Sequence, residues 1–379
     1  MKLVSVAIAG LLTGCVAVQD YPNARPMTVD AIQAVARTEV VVAESNNGIE
    51  KSWFMTDSSA AGAQYGLIGG LVTAVMDAIM NAGPSRRAGQ AANEISELVP
   101  ADALTASLVW HLQSQVPEGE ATGVSLKAVA ASQKITSPGP VDRALEISTN
   151  YTLSEDASAF RIVAHVALQG KDLPYRSPYQ FKSAPPKSEL AGPVYRNTFT
   201  YHSAQLPVPT LTPDLKARLA SNIQASYRDA NGAPPAADSQ DAKAMAKELE
   251  AANDDKLTKD EIAIFLTREW LKDNGALLKR EVETAHAFIA KYLVQDLNST
   301  AVPSFTGKDV LLETASDQRT VRRVGAGLDA GSYTSAPGNL TSFTTYGNAI
   351  AIAKVNSEKI TRLTSQARAA KQKTTRKST

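Results

Sequence analysis

The sequence predicts an α+β fold, and three observations support that prediction. Residues 39–44 are rich in β-branched side chains, and residues 141–169 have apolar side chains at a period near two, which is typical of half-buried strands. Residues 58–115 and 242–297 instead have the apolar spacing of helices. Apolar residues make up 44% of the chain and charged residues 20%, as in folded globular proteins rather than disordered or multi-spanning membrane proteins.

The N-terminal part is expected to combine a strand pair with a long helical tract. Residues 39–44 and 49–55 have the composition of two strands. The Asn-Asn-Gly at 46–48 predicts a hairpin turn between them, because Asn and Gly tolerate positive φ. The helical tract over residues 58–115 is expected to break at its prolines.

The middle of the chain predicts more strands and a helix. Strand-like segments cover residues 124–131, 142–153, 159–168 and 194–201, and residues 211–227 have a helical pattern. The following residues are small, polar and acidic with a Pro-Pro pair, which predicts an exposed linker.

The first residues have the pattern of a processing signal. Lys2 precedes an apolar stretch at 3–12, which is shorter than the roughly 20 residues that a spanning helix needs. Leu12-Thr13-Gly14-Cys15 then resembles the lipobox of bacterial lipoproteins. Cys15 is the only cysteine, so the chain cannot form an internal disulfide. An ordinary signal peptide with a chance cysteine, or a buried N-terminal strand, is the alternative interpretation.

The lipoprotein resemblance implies a lipid anchor and a location in the cell. Cleavage would fall between Gly14 and Cys15, and the Cys15 thiol would carry a diacylglycerol while its new amino group takes a further chain such as palmitate. Two or three chains hold a protein firmly, whereas one gives only marginal binding. Val16 and Ala17 follow the cysteine, with no aspartate. In lipoproteins of this type that pattern implies the outer membrane, with the chain facing the periplasm.

These patterns divide the chain into seven predicted segments. They are a signal peptide at 1–14, a lipid-anchored tether at 15–27, an α+β domain at 28–228, a linker at 229–241, a helical segment at 242–298, a small β-rich region at 299–355 and a basic tail at 356–379.

One helical segment contains a row of small residues. Gly62, Gly66, Gly70 and Ala74 recur every four residues and would form a smooth stripe on one helix face. Each glycine costs a helix about 1 kcal/mol relative to alanine, so close approach of another backbone is the expected compensation. The stripe predicts a helix interface inside the core, or self-association as a glycine-zipper oligomer or shallow insertion at the membrane surface. A spanning helix is the third alternative, although the apolar run contains Asp77.

Catalytic and metal-binding motifs are missing from the sequence. There is no G-x-S-x-G, S-x-x-K, H-E-x-x-H or phosphate-binding loop. The four histidines His111, His165, His202 and His286 lie far apart, and none has a histidine partner one helical turn away. We therefore assign no catalytic, cofactor-binding or metal-binding residue and expect no cofactor. His165 alternates with apolar neighbours on a predicted strand and is interpreted as structural.

Charge argues against nucleic acid as a partner, because the formal net charge is +1. The basic residues nevertheless concentrate at the C-terminus, where eight Lys or Arg from Lys354 onward accompany one acid, Glu358. Such a tail is either a solvated terminus or an electrostatic contact for anionic envelope polymers or lipid phosphates.

The leading functional hypothesis is a non-enzymatic, lipid-anchored envelope protein. It would act as an accessory or scaffolding subunit, through a protein partner or self-association. The alternatives are an envelope hydrolase whose site combines scattered residues such as His111 and His202 with nearby acids, and the glycine-zipper oligomer.

Replacing Cys15 by serine should leave an unprocessed precursor without acyl chains, because the thioether cannot form. Metabolic labelling with a radioactive fatty acid, followed by gel electrophoresis, measures this directly. Label on the serine variant would contradict the anchor assignment. The companion variant Val16→Asp should move the protein toward the inner membrane in fractionation.

Overall fold

A mixed β-sheet organises the fold. The computed structural model describes residues 23–35, 40–51, 90–91, 93–115, 126–128, 143–170, 192–229, 231–254, 256–257, 259–300 and 307–338. Within them, eight strands form one sheet in the order β2-β1-β3-β4-β5-β8-β7-β6. Their bounds are β1 Val40–Lys51, β2 Leu126–Ala128, β3 Arg143–Leu153, β4 Phe160–Gly170, β5 Tyr195–His202, β6 Val310–Thr314, β7 Arg319–Arg323 and β8 Tyr333–Pro337. The predicted α+β class is confirmed.

Helices accompany the sheet. They are α1 Val29–Val35, α2 Ala101–Gln115, α3 Pro213–Ser226, α4 Gln240–Ala251 and α5 Lys259–Leu297. The helical geometry is interrupted inside α5, where Asp273, Asn274 and Gly275 have φ of 51°, 58° and 69°. Asn, Asp and Gly are the residues that adopt this left-handed conformation most readily, so α5 consists of two helices on either side of this turn.

The core lies between the sheet, α2 and the second half of α5. Leu145 and Ile147 of β3 are buried together with Leu108 of α2 and Ile289 of α5. Glu146, between the two β3 residues, is exposed. The period-two pattern of the sequence therefore marks one buried and one open face of the sheet, as expected.

The predicted hairpin at 46–48 is wrong. β1 continues through these residues and pairs in parallel with β3, with a register shift between Asn46 and Ile49. Gly48 keeps the positive φ of 76° that the turn motif suggested. The side chain of Asn46 forms hydrogen bonds within β1 and to α2. Its Oδ1 accepts from Gly48 N at 2.9 Å, and its Nδ2 donates to Thr105 Oγ1 of α2 at 2.9 Å. The motif makes a bulge that contacts α2.

The C-terminal strands extend the N-terminal sheet. Phe199 of β5 pairs in parallel with Tyr333 of β8, and β7 and β6 follow as antiparallel neighbours. Val321 of β7 and Tyr333 belong to the same apolar cluster as β3 and β4. The sequence predicts short strands in this region but not their place in the sheet. The predicted domain boundaries stay predictions.

The linker region connects two helices that pack together. Residues 231–234 and 236–238 are exposed. Ile223 and Tyr227 at the end of α3 cluster with Ala252 after α4. The described helices include none that is both long and apolar enough to cross a bilayer.

A buried carboxylate near the end of α5 joins three strands. Asp296 is 1% exposed. Its Oδ2 accepts from Tyr195 Oη at 2.8 Å and Asn197 Nδ2 at 2.7 Å, both on β5. Its Oδ1 accepts from Tyr333 Oη of β8 at 2.7 Å and from Arg323 Nη2 of β7 at 3.2 Å. The carboxylate is therefore fully used, which is what a buried charge requires.

A second carboxylate of α5 has a similar role. Glu281 Oε2 accepts from Tyr201 Oη of β5 at 2.7 Å. The guanidinium of Arg319, on β7, lies 4.4 Å from the centre of the Tyr201 ring. It also lies 3.9 Å from the Glu281 carboxylate.

Replacing Asp296 by alanine should lower the free energy of unfolding by about 3–5 kcal/mol, because it leaves the buried donors of Tyr195, Asn197 and Tyr333 without an acceptor and the partly buried Arg323 charge without its partner. Urea-induced unfolding measures the change. Glu313→Ala is the matched control, since Glu313 also accepts from a tyrosine and a cation, Tyr292 and Lys291, but its side chain is 43% exposed. The control should cost about 0–1 kcal/mol. Equal losses would contradict the proposed role of Asp296.

Candidate functional site

The site residues that the sequence predicts fall outside the described residues. These are Cys15 and the row Gly62, Gly66, Gly70 and Ala74. Lipidation and the glycine interface therefore stay predictions. Of the histidines, His111 and His286 lie side by side, with ring centroids 6.3 Å apart.

A chain of hydrogen bonds connects these two histidines to three other residues. Tyr151 Oη lies 2.8 Å from His286 Nε2, and His286 Nδ1 lies 2.9 Å from Ser107 Oγ. Ser107 Oγ is 2.7 Å from Glu283 Oε1, and His111 Nε2 is 2.9 Å from Glu283 Oε2. We refer to these five residues as the relay.

Helical periodicity positions most of the relay. Ser107 and His111 are four residues apart on α2, and Glu283 and His286 are three apart on α5, so each pair shares one helix face. Tyr151 projects from the buried face of β3. The spacings are visible in the sequence, but they do not reveal that the two helix faces meet. Sequence reasoning named His111 as a candidate and missed Ser107, Glu283 and Tyr151.

The number of available hydrogens fixes the direction of the relay. Ser107 has one hydroxyl hydrogen and donates it to the Glu283 carboxylate, which can only accept. Nδ1 of His286 must therefore carry the hydrogen donated to Ser107 Oγ. Nε2 of the neutral ring is then the acceptor for the Tyr151 hydroxyl. The relay runs from Tyr151 at the core to Glu283 at the surface.

Burial controls the charges in the relay. It lowers the pKa of His286 to about 3, with smaller and opposite effects from the charges of Glu283 and His111. Burial alone would raise the pKa of Glu283, but hydrogen bonds from Ser107 and His111 lower it overall. His286 is thus neutral at pH 7, and Glu283 is ionised.

A buried carboxylate lies behind the relay on β1. Glu44 is 2% exposed; its Oε2 accepts from the Thr105 hydroxyl of α2 and, at 3.0 Å, from Asn46 Nδ2. Burial raises its pKa, partly offset by these hydrogen bonds. Burial, with the nearby Glu44 charge as a second cause, also raises the pKa of Tyr151. Glu44 and the relay therefore both connect α2 to the rest of the core.

The relay is better suited to holding elements together than to breaking bonds. A nucleophilic serine must direct its hydrogen at a base. Ser107 instead donates to a carboxylate whose lowered pKa makes it a weak base. The described residues hold no group of three or more His, Cys, Asp or Glu side chains that could bind a metal ion.

The other histidines lie elsewhere in the sheet. His202, on β5, is buried, and its pKa is lowered to about 3 by burial and by the charges of Arg161 and Arg319. His165 is exposed on β4, with Nδ1 3.2 Å from Thr198 Oγ1. No contact joins His202 to His111 in the part of the chain that the structure describes.

A small cleft lies between α3, the first half of α5 and the residues Gln90, Ala91 and Glu94. Its cavity measures about 30 Å³, much smaller than the roughly 300–1,000 Å³ of typical ligand pockets. Arg268 and Glu94 form an ion pair beside it. The Oγ1 atom of Thr267, which also lines the cleft, is buried and has no hydrogen-bond partner among the described residues. The cleft is too small to define a ligand.

Comparison with known proteins adds no functional assignment. The chain matches no protein-family model, no curated protein and no solved structure.

Replacing Ser107 by alanine should lower the free energy of unfolding by about 1–3 kcal/mol, because the buried Nδ1–H of His286 loses its acceptor. Ser114→Ala is the matched control on the same helix: its hydroxyl donates to the His111 carbonyl at 2.8 Å but is exposed. That variant should stay within about 0.5 kcal/mol of wild type. Chemical unfolding compares the two. Since both exchange Ser for Ala in α2, their difference isolates the relay, and equal stabilities would contradict its structural role.

Proposed function

We propose that this chain is a lipid-anchored envelope protein that acts without catalysis, as an accessory or scaffolding subunit that binds a protein partner. The anchor is Cys15, and the protein is located on the periplasmic side of the outer membrane. The support for the anchor is the Leu12-Thr13-Gly14-Cys15 motif after a short apolar stretch. The basic tail supplies a second contact, to anionic envelope polymers.

The observation that best supports partner binding is the edge strand β6. Among the residues that the structure describes, it has a strand neighbour, β7, on one side only. Its consecutive residues Val310, Leu311 and Leu312 are 45%, 57% and 42% exposed. Exposed apolar edge strands pair readily with other chains, and partner proteins use such edges by adding a strand.

The same edge has a feature that limits indiscriminate pairing. The β6–β7 register shifts between Leu311 and Glu313, so Leu312 is the extra residue of a β-bulge. Bulges at sheet edges discourage aggregation because they disturb the regular ladder. A partner must therefore match an irregular edge, which favours a specific protein over casual association.

The hydrolase alternative has one observation in its favour, the meeting of His111 with Glu283 and Ser107. The direction of the relay and the separate position of His202 oppose it. The glycine-zipper alternative rests on Gly62, Gly66 and Gly70, which lie outside the described residues.

A photoreactive amino acid at position 311 should capture a partner in intact envelopes, because Leu311 is the most exposed of the three apolar residues of β6. Leu328 is the matched control, since it is 50% exposed but lies in a turn rather than on an edge strand. A discrete adduct at 311 and none at 328 is the expected result. Adducts at both positions, or at neither, would contradict partner binding by β6.

A further inference from the structure

The polar contacts between α2 and α5 contain titratable groups whose positions make them sensitive to acid. Ser107 and His111 of α2 contact Glu283 and His286 of α5, and Thr105 of α2 contacts Glu44 of β1. We propose that the relay is an acid-sensitive latch that fastens α2 to α5 at neutral pH and releases α2 as the pH falls.

The geometry of His286 prevents it from accepting a proton in place. The residue is fully buried, and both ring nitrogens are used. A proton added at Nε2 would point at the Tyr151 hydroxyl, which now donates to that atom. Tyr151 would have to turn its hydrogen away, inside a core where Tyr151 itself is fully buried. Moving α2 away lets water reach the ring and removes this constraint.

The sign of the pH effect follows from the two states of His286. In the closed state burial lowers its pKa from 6.5 to about 3, whereas an open, hydrated imidazole returns toward 6.5. The open state therefore binds a proton below about pH 6.5 and the closed state does not. The latch is strongest above that pH, and its opening constant rises up to about tenfold for each pH unit below it.

Other titratable groups in the contacts of α2 with α5 and β1 act on the same equilibrium. The lowered pKa of Glu283, on α5, adds to opening, but only near and below its ordinary value of 4.5. The raised pKa of Glu44, on β1, opposes opening, because the closed state holds that proton more tightly. His111, on α2, contacts the Glu283 carboxylate through Nε2 at 2.9 Å. Tyr151, on β3, stays protonated throughout.

Hydrogen exchange of the full-length protein, read by mass spectrometry between pH 6.5 and 5.0, tests the latch. After correction for the intrinsic exchange rate, peptides from α2 should lose about tenfold to thirtyfold in protection. Peptides from α3, which does not contact the relay, should keep theirs and serve as the internal reference. Parallel loss in α2 and α3 would mean global unfolding and would overturn the proposal.

Two variants identify the groups responsible. His286→Gln removes the titrating ring, so α2 protection should no longer fall between these pH values. Glu44→Gln removes the carboxylate that opposes opening, so the protection of α2 should fall more steeply as the pH is lowered. The proposal would be overturned if the dependence of α2 protection on pH were unchanged in His286→Gln or shallower in Glu44→Gln.

A measurement on the wild-type protein covers the case in which His286→Gln does not fold. Nitrogen NMR of the imidazole should show a neutral ring with the hydrogen on Nδ1 at pH 6.5. A charged ring, or a hydrogen on Nε2, would also overturn the proposal.

Discussion

Buried tyrosine hydroxyls determine where α5 lies on the sheet. A tyrosine ring contributes apolar surface to a core, but its hydroxyl needs a partner when it is buried. Each of three core tyrosines finds an acceptor on the second half of α5: Tyr201 at Glu281, Tyr151 at His286 and Tyr195 at Asp296. The acceptors run along the helix, so sliding or rotating α5 would break all three bonds together.

Directional bonds add something to this core that apolar packing alone would not. Apolar contacts tolerate small displacements, whereas a buried polar group that loses its partner costs about 1–3 kcal/mol. Asp296 concentrates this effect, because its donors come from β5, β7 and β8. One carboxylate therefore fixes the helix against both the N-terminal strands and the C-terminal strands.

The sequence predicts local secondary structure in this protein far better than it predicts which distant residues contact one another. The alternation of residues 141–169 correctly marks β3 and β4, since strand period and burial are local properties. The Asn-Asn-Gly motif at 46–48 misleads, because parallel pairing with β3 overrides a local turn preference. For the relay, spacing on each helix is readable, but the meeting of Ser107 with His286 depends on tertiary packing. The pairing of β8 with β5 cannot be predicted from the sequence for the same reason, because it also depends on tertiary packing.

The pairing of β5 with β8 also determines when this sheet can be completed. Phe199 must wait for Tyr333 to be available, and the helices α3 to α5 lie between them in the chain. Folds that depend on contacts between distant parts of a chain form slowly, since a long loop must close before any contact stabilises it. Until residue 333 has been synthesised, β5 therefore keeps an unpaired edge.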